Sequence, residues 1–190
     1  MRKVTGSLLA AVALVALPQM AVAQRRAASG GGGGAQHEFG VDFAAAFGHI
    51  GSGCTASCGT FEAGTPVDVR IGFVGRSMSF EPRFSLSYLS QGGGHVLFFN
   101  PDLNVVKPMG SSTSHKGLYL TGGAGVNIIS ASGSSSASQF SLNGGVGTRM
   151  PADASAWRLE GFFRYNFKNT AKLIPSSYNI GARIGMSFWR

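Results

Sequence analysis

Two cysteines four positions apart, Cys54 and Cys58 in the stretch CTASC, are the side chains best placed to react with one another. In an oxidising compartment such a pair forms a disulfide and closes a small loop. Three residues intervene, so this is not the redox C-x-x-C pattern. A structural zinc site needs four ligands, and only His49 lies nearby. His37, His95 and His115 are dispersed. Ser114-His115 is the one adjacent Ser–His pair, and no G-x-S-x-G elbow accompanies it. Five glycines at 30–34 follow no strand pattern and precede no Lys-Ser/Thr, so they cannot cradle a phosphate. Gly122-Gly123-Ala124-Gly125 lies inside an alternating segment and is no dinucleotide loop. The sequence therefore offers no catalytic set, no cofactor motif and no metal ligands, and the expectation is a protein that is not an enzyme.

The second chemistry is ionic. Asp42, Asp68, Glu81, Asp102 and Glu160 recur at alternate positions of strand-like segments, on the face opposite the apolar residues. Arg70, Arg83, Arg149, Arg158, Arg164 and Arg183 fall on the same faces, and no lysine does. Guanidinium forks pair with carboxylates in confined spaces, whereas a solvated face normally carries lysine. The pattern predicts a mutually compensating charge network inside a closed structure.

Elements able to hold that network are legible along the chain. Residues 1–23 read as a secretory signal peptide. Arg2 and Lys3 precede the apolar Leu8 to Leu17, and Ala21-Val22-Ala23 predicts cleavage before Gln24. Residues 24–37 form a glycine-rich lead-in, and 38–190 form one domain. Outside the first 23 residues, 14 Lys/Arg stand against 8 Asp/Glu. Those basic residues are scattered, which argues against nucleic acid as a partner. Charged residues make up 13% of the chain, well under the roughly 25% of soluble domains. No later stretch has 18 consecutive apolar residues, so a membrane crossing must use a closed barrel.

Eight segments alternate at period two: 38–47, 66–74, 78–89, 95–106, 118–129, 140–149, 157–167 and 178–188. The last, YNIGARIGMSF, sets Tyr178, Ile180, Ala182, Ile184, Met186 and Phe188 against Asn179, Gly181, Arg183, Gly185 and Ser187. Pro101 interrupts the fourth and predicts a bulge or break there. The expected fold class is all-β, an eight-stranded antiparallel up-and-down transmembrane β-barrel. Aromatics at strand ends (Phe47, Tyr88, Trp157, Phe167, Tyr178, Phe188) fit two interfacial girdles. A secreted, lipocalin-like barrel is the soluble alternative; the absence of lysine from the polar face argues against it. An eight-stranded lumen is just wide enough for side chains to fill.

The signal peptide, the alternating segments, LYLTGGAGVNI at 118–128 and the final IGARIGMSF resemble the small outer-membrane β-barrel superfamily, including the opacity-type barrels. The resemblance implies a place in a bacterial outer membrane, among its lipids and lipopolysaccharide, reached with the barrel-assembly machinery. It implies a structural or surface-interaction role in envelope integrity or adhesion, with an external ligand it does not identify. It carries over no catalytic residue and no cofactor. A small diffusion pore and a lipid A-modifying enzyme are the alternatives within the superfamily. The usual final aromatic is followed here by Arg190, with Trp189 before it, a departure from the pattern.

Overall fold

The computed structural model describes residues 36–51, 59–75, 77–91, 94–113, 115–133 and 135–190. The expected signal peptide, residues 24–35 of the expected lead-in and both cysteines lie outside the described residues; Gln36 and His37, expected in the lead-in, belong instead to the first strand. Eight strands run in chain order: β1 (Gln36–Ile50), β2 (Gly59–Val74), β3 (Ser79–Gln91), β4 (Gly94–Pro108), β5 (Gly117–Ala131), β6 (Ala137–Ala152), β7 (Ser155–Asn166) and β8 (Ser177–Trp189). Each pairs antiparallel with its neighbours, and β1 pairs with β8 from Glu38↔Trp189 to Ile50↔Ser177. The result is a closed up-and-down barrel with every strand paired on both sides. Among the described residues no helix is long or apolar enough to cross a membrane.

Alternation makes the wall. Odd positions of β7, from Trp157 to Phe163, are exposed, and even positions from Ala156 to Asn166 are buried. Large apolar side chains cover the outside: Phe43 is 53% exposed, Leu118 54% and Ile184 50%. Arg70 and Glu160, inside, are 0% exposed. That inverts a soluble protein, where charge faces water and apolar groups face inward. A continuous apolar exterior closed around buried charges is stable in lipid, where every backbone group must find its partner within the protein.

The ends differ. The end bearing both termini, here the inner end, has the connections Gly75–Met78, Met109–Lys116 and Asp153–Ala154. The last is a tight turn with Asp153 at φ 52°, a conformation Asp tolerates. The outer end has the longer 51–58 and 167–176 and the shorter 92–93 and 132–136. Ring contacts crowd the outer rim, with Phe47–Phe61 at 4.7 Å and Phe140–Phe167 at 5.6 Å.

Three sequence expectations need correction. β2 begins at Gly59, not Pro66, and its first residues pair with β1, so the first outer loop is shorter than the pattern implies. The strand was hidden because GTFEAGTP at 59–66 offers one large apolar residue, Phe61, and ends in proline; the β1–β2 register also shifts between Phe43↔Val67 and Ala45↔Ala63, which puts two extra residues into β2 without changing its phase. Pro66 lies at this shift, where proline is tolerated. Pro101, where a bulge or break was expected, keeps its register. It pairs with Phe84 on β3, and the β4–β5 ladder skips only positions 100 and 101 between Phe99↔Ile128 and Asp102↔Gly125. Its missing N–H costs local pairing without displacing the strand. The connection expected at 107–117 is shorter too, because β4 runs on to Pro108.

Candidate functional site

The interior is built from strand positions that point inward by parity. In its inner half two arginines organise the carboxylates. Arg70 on β2 gives its Nε to Asp42 Oδ2 at 2.7 Å and its Nη1 to Glu38 Oε1. Its Nη2 reaches Ser187 Oγ at 3.0 Å and the Met186 carbonyl at 3.1 Å. Arg158 on β7 donates Nη1 to Glu81 Oε2 at 2.5 Å, Nη2 to Glu160 Oε2 at 2.6 Å and Nε to the Tyr119 hydroxyl at 2.5 Å. Arg149 completes this layer through Glu38 Oε2 at 2.8 Å.

Glu160 is the hub. Its Oε1 accepts from Arg183 Nη1 at 2.8 Å and Arg83 Nη1 at 3.2 Å, and its Oε2 accepts from Arg158 and from the Tyr119 hydroxyl at 2.8 Å. Arg183 faces it directly across the β7–β8 ladder, and Arg83 crosses from β3. Arg83 also gives Nη2 to Glu81 Oε1 at 2.7 Å. Further out, Arg164 Nη1 meets Asp102 Oδ2 at 2.6 Å, and Arg183 Nε lies 3.2 Å from Asp68 Oδ2. The Arg183 guanidinium also sits 3.9 Å over the Phe162 ring.

Glycines make room for these groups. Gly147 faces Tyr119 across the β5–β6 ladder, and a Cβ there would collide with the tyrosine hydroxyl. Gly40 is filled in the same way by the Arg70 guanidinium.

All eleven charged residues singled out from the sequence lie inward and take part in ion pairs. Glu38 and Tyr119 were missed as members. Glu38 stands two residues before Gly40, on the face of Asp42, so parity would have found it. With Glu38 the interior holds six carboxylates (Glu38, Asp42, Asp68, Glu81, Asp102, Glu160) and six guanidiniums, and is formally neutral. Tyr119 was on the polar face by parity but carried no charge to mark it.

The inner mouth is capped. Trp189, paired with Glu38, turns inward at the end of β8, and its ring centre lies 4.3 Å from that of His115. His115 comes from the 109–116 connection, which is held by Met109 N–H to Leu118 O at 2.9 Å and Thr113 N–H to Lys116 O at 2.9 Å. Burial lowers the His115 pKa, and Glu38 partly opposes the shift. The long inner connection and the unusual terminal Trp189 are thus two halves of one lid. His37, His49 and His95 instead pack on Phe73, Tyr178 and Tyr88. Among the described residues no group of three or more His, Cys, Asp or Glu could hold a metal ion.

The outer half is different. There the lumen opens into a cavity of about 240 Å³ with a charged floor of Asp68, Arg83, Asp102 and Arg183 and mixed polar and apolar walls, reaching Ile174 and Pro175 near the rim. Gln139 Nε2 fixes the last outer connection by donating to the Phe167 and Pro175 carbonyls at 3.0 and 2.9 Å.

No protein-family model matches the sequence, and no curated protein does. Solved structures do match. Ail, the attachment invasion locus protein of Yersinia pestis, solved in complex with the heparin analogue sucrose octasulfate, is 12% identical with a TM-score of 0.50. That match covers 81% of this chain and 99% of that one. Neisserial surface protein A is 12% identical with a TM-score of 0.53, over 78% of this chain and 95% of that one. This chain has the fold of the small eight-stranded outer-membrane β-barrels. At such identities the likeness concerns fold alone. The barrel keeps its apolar face outward and its charges in the lumen.

Proposed function

We propose that this protein is a sealed outer-membrane barrel with a structural or surface-interaction role, and not an enzyme. One observation carries the reading: the inner half of the lumen is filled. Arg70, Arg158, Tyr119, Glu38, Glu81 and Glu160 are each no more than 1% exposed, and the His115–Trp189 lid lies beneath them. An eight-stranded lumen has little width to spare, and these side chains use it. The inner end faces the periplasm, as the termini and short turns of such barrels do. The 51–58 and 167–176 connections then face outward, where a surface protein meets its partners. An attachment locus protein and a surface protein share this fold, which supports the reading without identifying a ligand. Membrane lipids and lipopolysaccharide are the partners of the wall, and the barrel-assembly machinery is its partner during insertion.

The test is conductance. Purified barrel reconstituted in planar bilayers is expected to pass no steady ionic current, and to migrate differently on gels before and after heating. Discrete conductance steps at neutral pH would mean the network opens, and the diffusion-pore reading would replace this one.

A further inference from the structure

The outer cavity combines open space with buried polar groups that are incompletely matched. Among the described residues, Asp68 Oδ1, Asp102 Oδ1 and Asn100 Oδ1 are buried oxygens with no hydrogen-bond partner, and Arg83 Nε is a buried donor in the same condition. Asp68, Arg83 and Asp102 are each more than nine-tenths buried, and all four residues line the cavity. They also lie together in the sheet. Asp68, Ser85 and Asn100 form one row across β2, β3 and β4, and Arg83 pairs with Asp102 in the next. Buried polar atoms left unmatched cost free energy, and natural proteins carry few of them.

The charges at this floor are already compensated. Arg164 is held by Asp102, Arg183 by Glu160 and Asp68, and Arg83 by Glu81 and Glu160. An added cation or anion would break that balance in a closed, partly desolvated space. What remains open is single hydrogen-bond valences of both kinds, acceptors and a donor. A hydroxyl group both donates and accepts, so several hydroxyls on one ring meet such a mixture without importing charge. Above the floor the walls carry neutral Asn127, Asn179 and Ser177, with Phe98 and Ile174 as apolar surface for a ring face. At about 240 Å³ the space falls below the roughly 300 Å³ at which drug-sized pockets begin.

We infer that the outer half of the lumen is a binding cup for a neutral polyhydroxylated ring of single-hexose size. The inference deepens the surface-interaction reading and rests on it. The hexose comes either free or as the terminal unit of a surface glycan; the chemistry in the cup is the same.

The experiment is saturation-transfer NMR on the full-length barrel refolded in detergent micelles. The probes are D-glucose, D-galactose, their methyl glycosides and glucose 6-sulfate. A neutral hexose is expected to receive saturation with a Kd on the order of 1 mM, the strength of a few hydrogen bonds to a small ligand. Asn100→Leu should weaken it about tenfold, and Asn179→Leu should also weaken it. Lys172→Gln, outside the cup, should leave it unchanged. Heat-dependent gel mobility confirms that each variant is folded. Methyl glycosides binding as well as the free sugars point to a glycan terminus, and loss of binding on methylation points to a free sugar. Saturation of no neutral probe means the cup holds water only, and stronger binding of glucose 6-sulfate means an anion site; either result overturns the inference. The two readings fail separately. Ionic conductance refutes the sealed barrel, and absence of hexose binding by a non-conducting barrel refutes the cup.

Discussion

Replacing Glu160 with glutamine removes one charge from a neutral interior and changes almost no volume. The consequence follows from its four contacts. Three guanidiniums and one phenol point at a side chain that is 0% exposed, at 2.6, 2.8, 2.8 and 3.2 Å. Glutamine keeps one acceptor oxygen and presents an NH2 to the other donors, so at least one guanidinium loses its partner and faces a donor. Removing one side of a buried ion pair costs about 3–5 kcal/mol. The lower end applies here. Arg158 and Arg83 each keep Glu81, and Arg183, at 11% side-chain exposure, keeps Asp68. Destabilisation should be about 3 kcal/mol. With a urea m-value of roughly 2 kcal/mol/M, the unfolding midpoint falls by about 1.5 M. Lys172→Gln, on an exposed outer connection, should move it by less than about 0.3 M. The assay is urea titration of each variant refolded in lipid vesicles, followed by tryptophan fluorescence and gel mobility. Combining Glu160→Gln with Arg183→Gln should recover part of the loss, because the double change restores neutrality. Equal midpoints for Glu160→Gln and Lys172→Gln would refute the argument, because the lumen would then be wet enough to screen its own charges.

Other outcomes are specific. Gly147→Ala should lower the midpoint well beyond Gly144→Ala, because a Cβ at 147 meets the Tyr119 hydroxyl whereas one at 144 comes no nearer than 3.5 Å to any atom, the Thr121 carbonyl oxygen; the same titration reads both. In a proton NMR titration His115 should titrate below the ordinary imidazole value of about 6.5, and Trp189→Ala should return it toward that value. Since folding lowers this pKa, the lid's contribution is complete above about pH 6.5 and declines as pH falls below it, which hydrogen exchange at 109–116 should register. Cys54 and Cys58 should resist alkylation by iodoacetamide until a reductant is added, as mass spectrometry would show, and reduction should leave the barrel midpoint unchanged.

How much could be read in advance depended on whether a feature repeats along one strand or arises between strands. Period-two alternation is local, so all eight strands and both faces were legible, down to an inward Arg183 and an outward Ile184. The failures lie where local period and global register part. β2 was seen only from Pro66 because 59–66, GTFEAGTP, carries one large apolar residue and a proline, and its pairing to β1 across a two-residue register shift is a property of the sheet and not of the segment. Pro101 was over-read because a proline in one strand does not reveal whether the ladders on either side can absorb a lost bond; here they do.

The charge network shows the same division. Composition and parity say that carboxylates and arginines share an interior, but not which meets which. Glu160 finds Arg183 through register, straight across one ladder, and finds Arg83 across the lumen, 77 residues away. That second contact depends on how far the strands are staggered when the sheet closes, a property of the whole barrel that no single strand encodes. The stagger also divides the lumen into two halves of opposite character. Toward the inner end, Arg70, Arg158, Glu81 and Glu160 pair across the lumen and fill it. Toward the outer end, Asp68, Arg83 and Asp102 keep valences that no group among the described residues meets, and the 240 Å³ cavity begins there. A barrel needing only stability could place apolar pairs at those positions at little cost, since replacing buried ion pairs with well-packed apolar groups is often neutral. Unmatched polar atoms occur in the inner half too, at Arg149 and Trp189, but only around the outward-facing space is there room for a ligand to meet them. The hexose experiment therefore also asks why this lumen is charged at all.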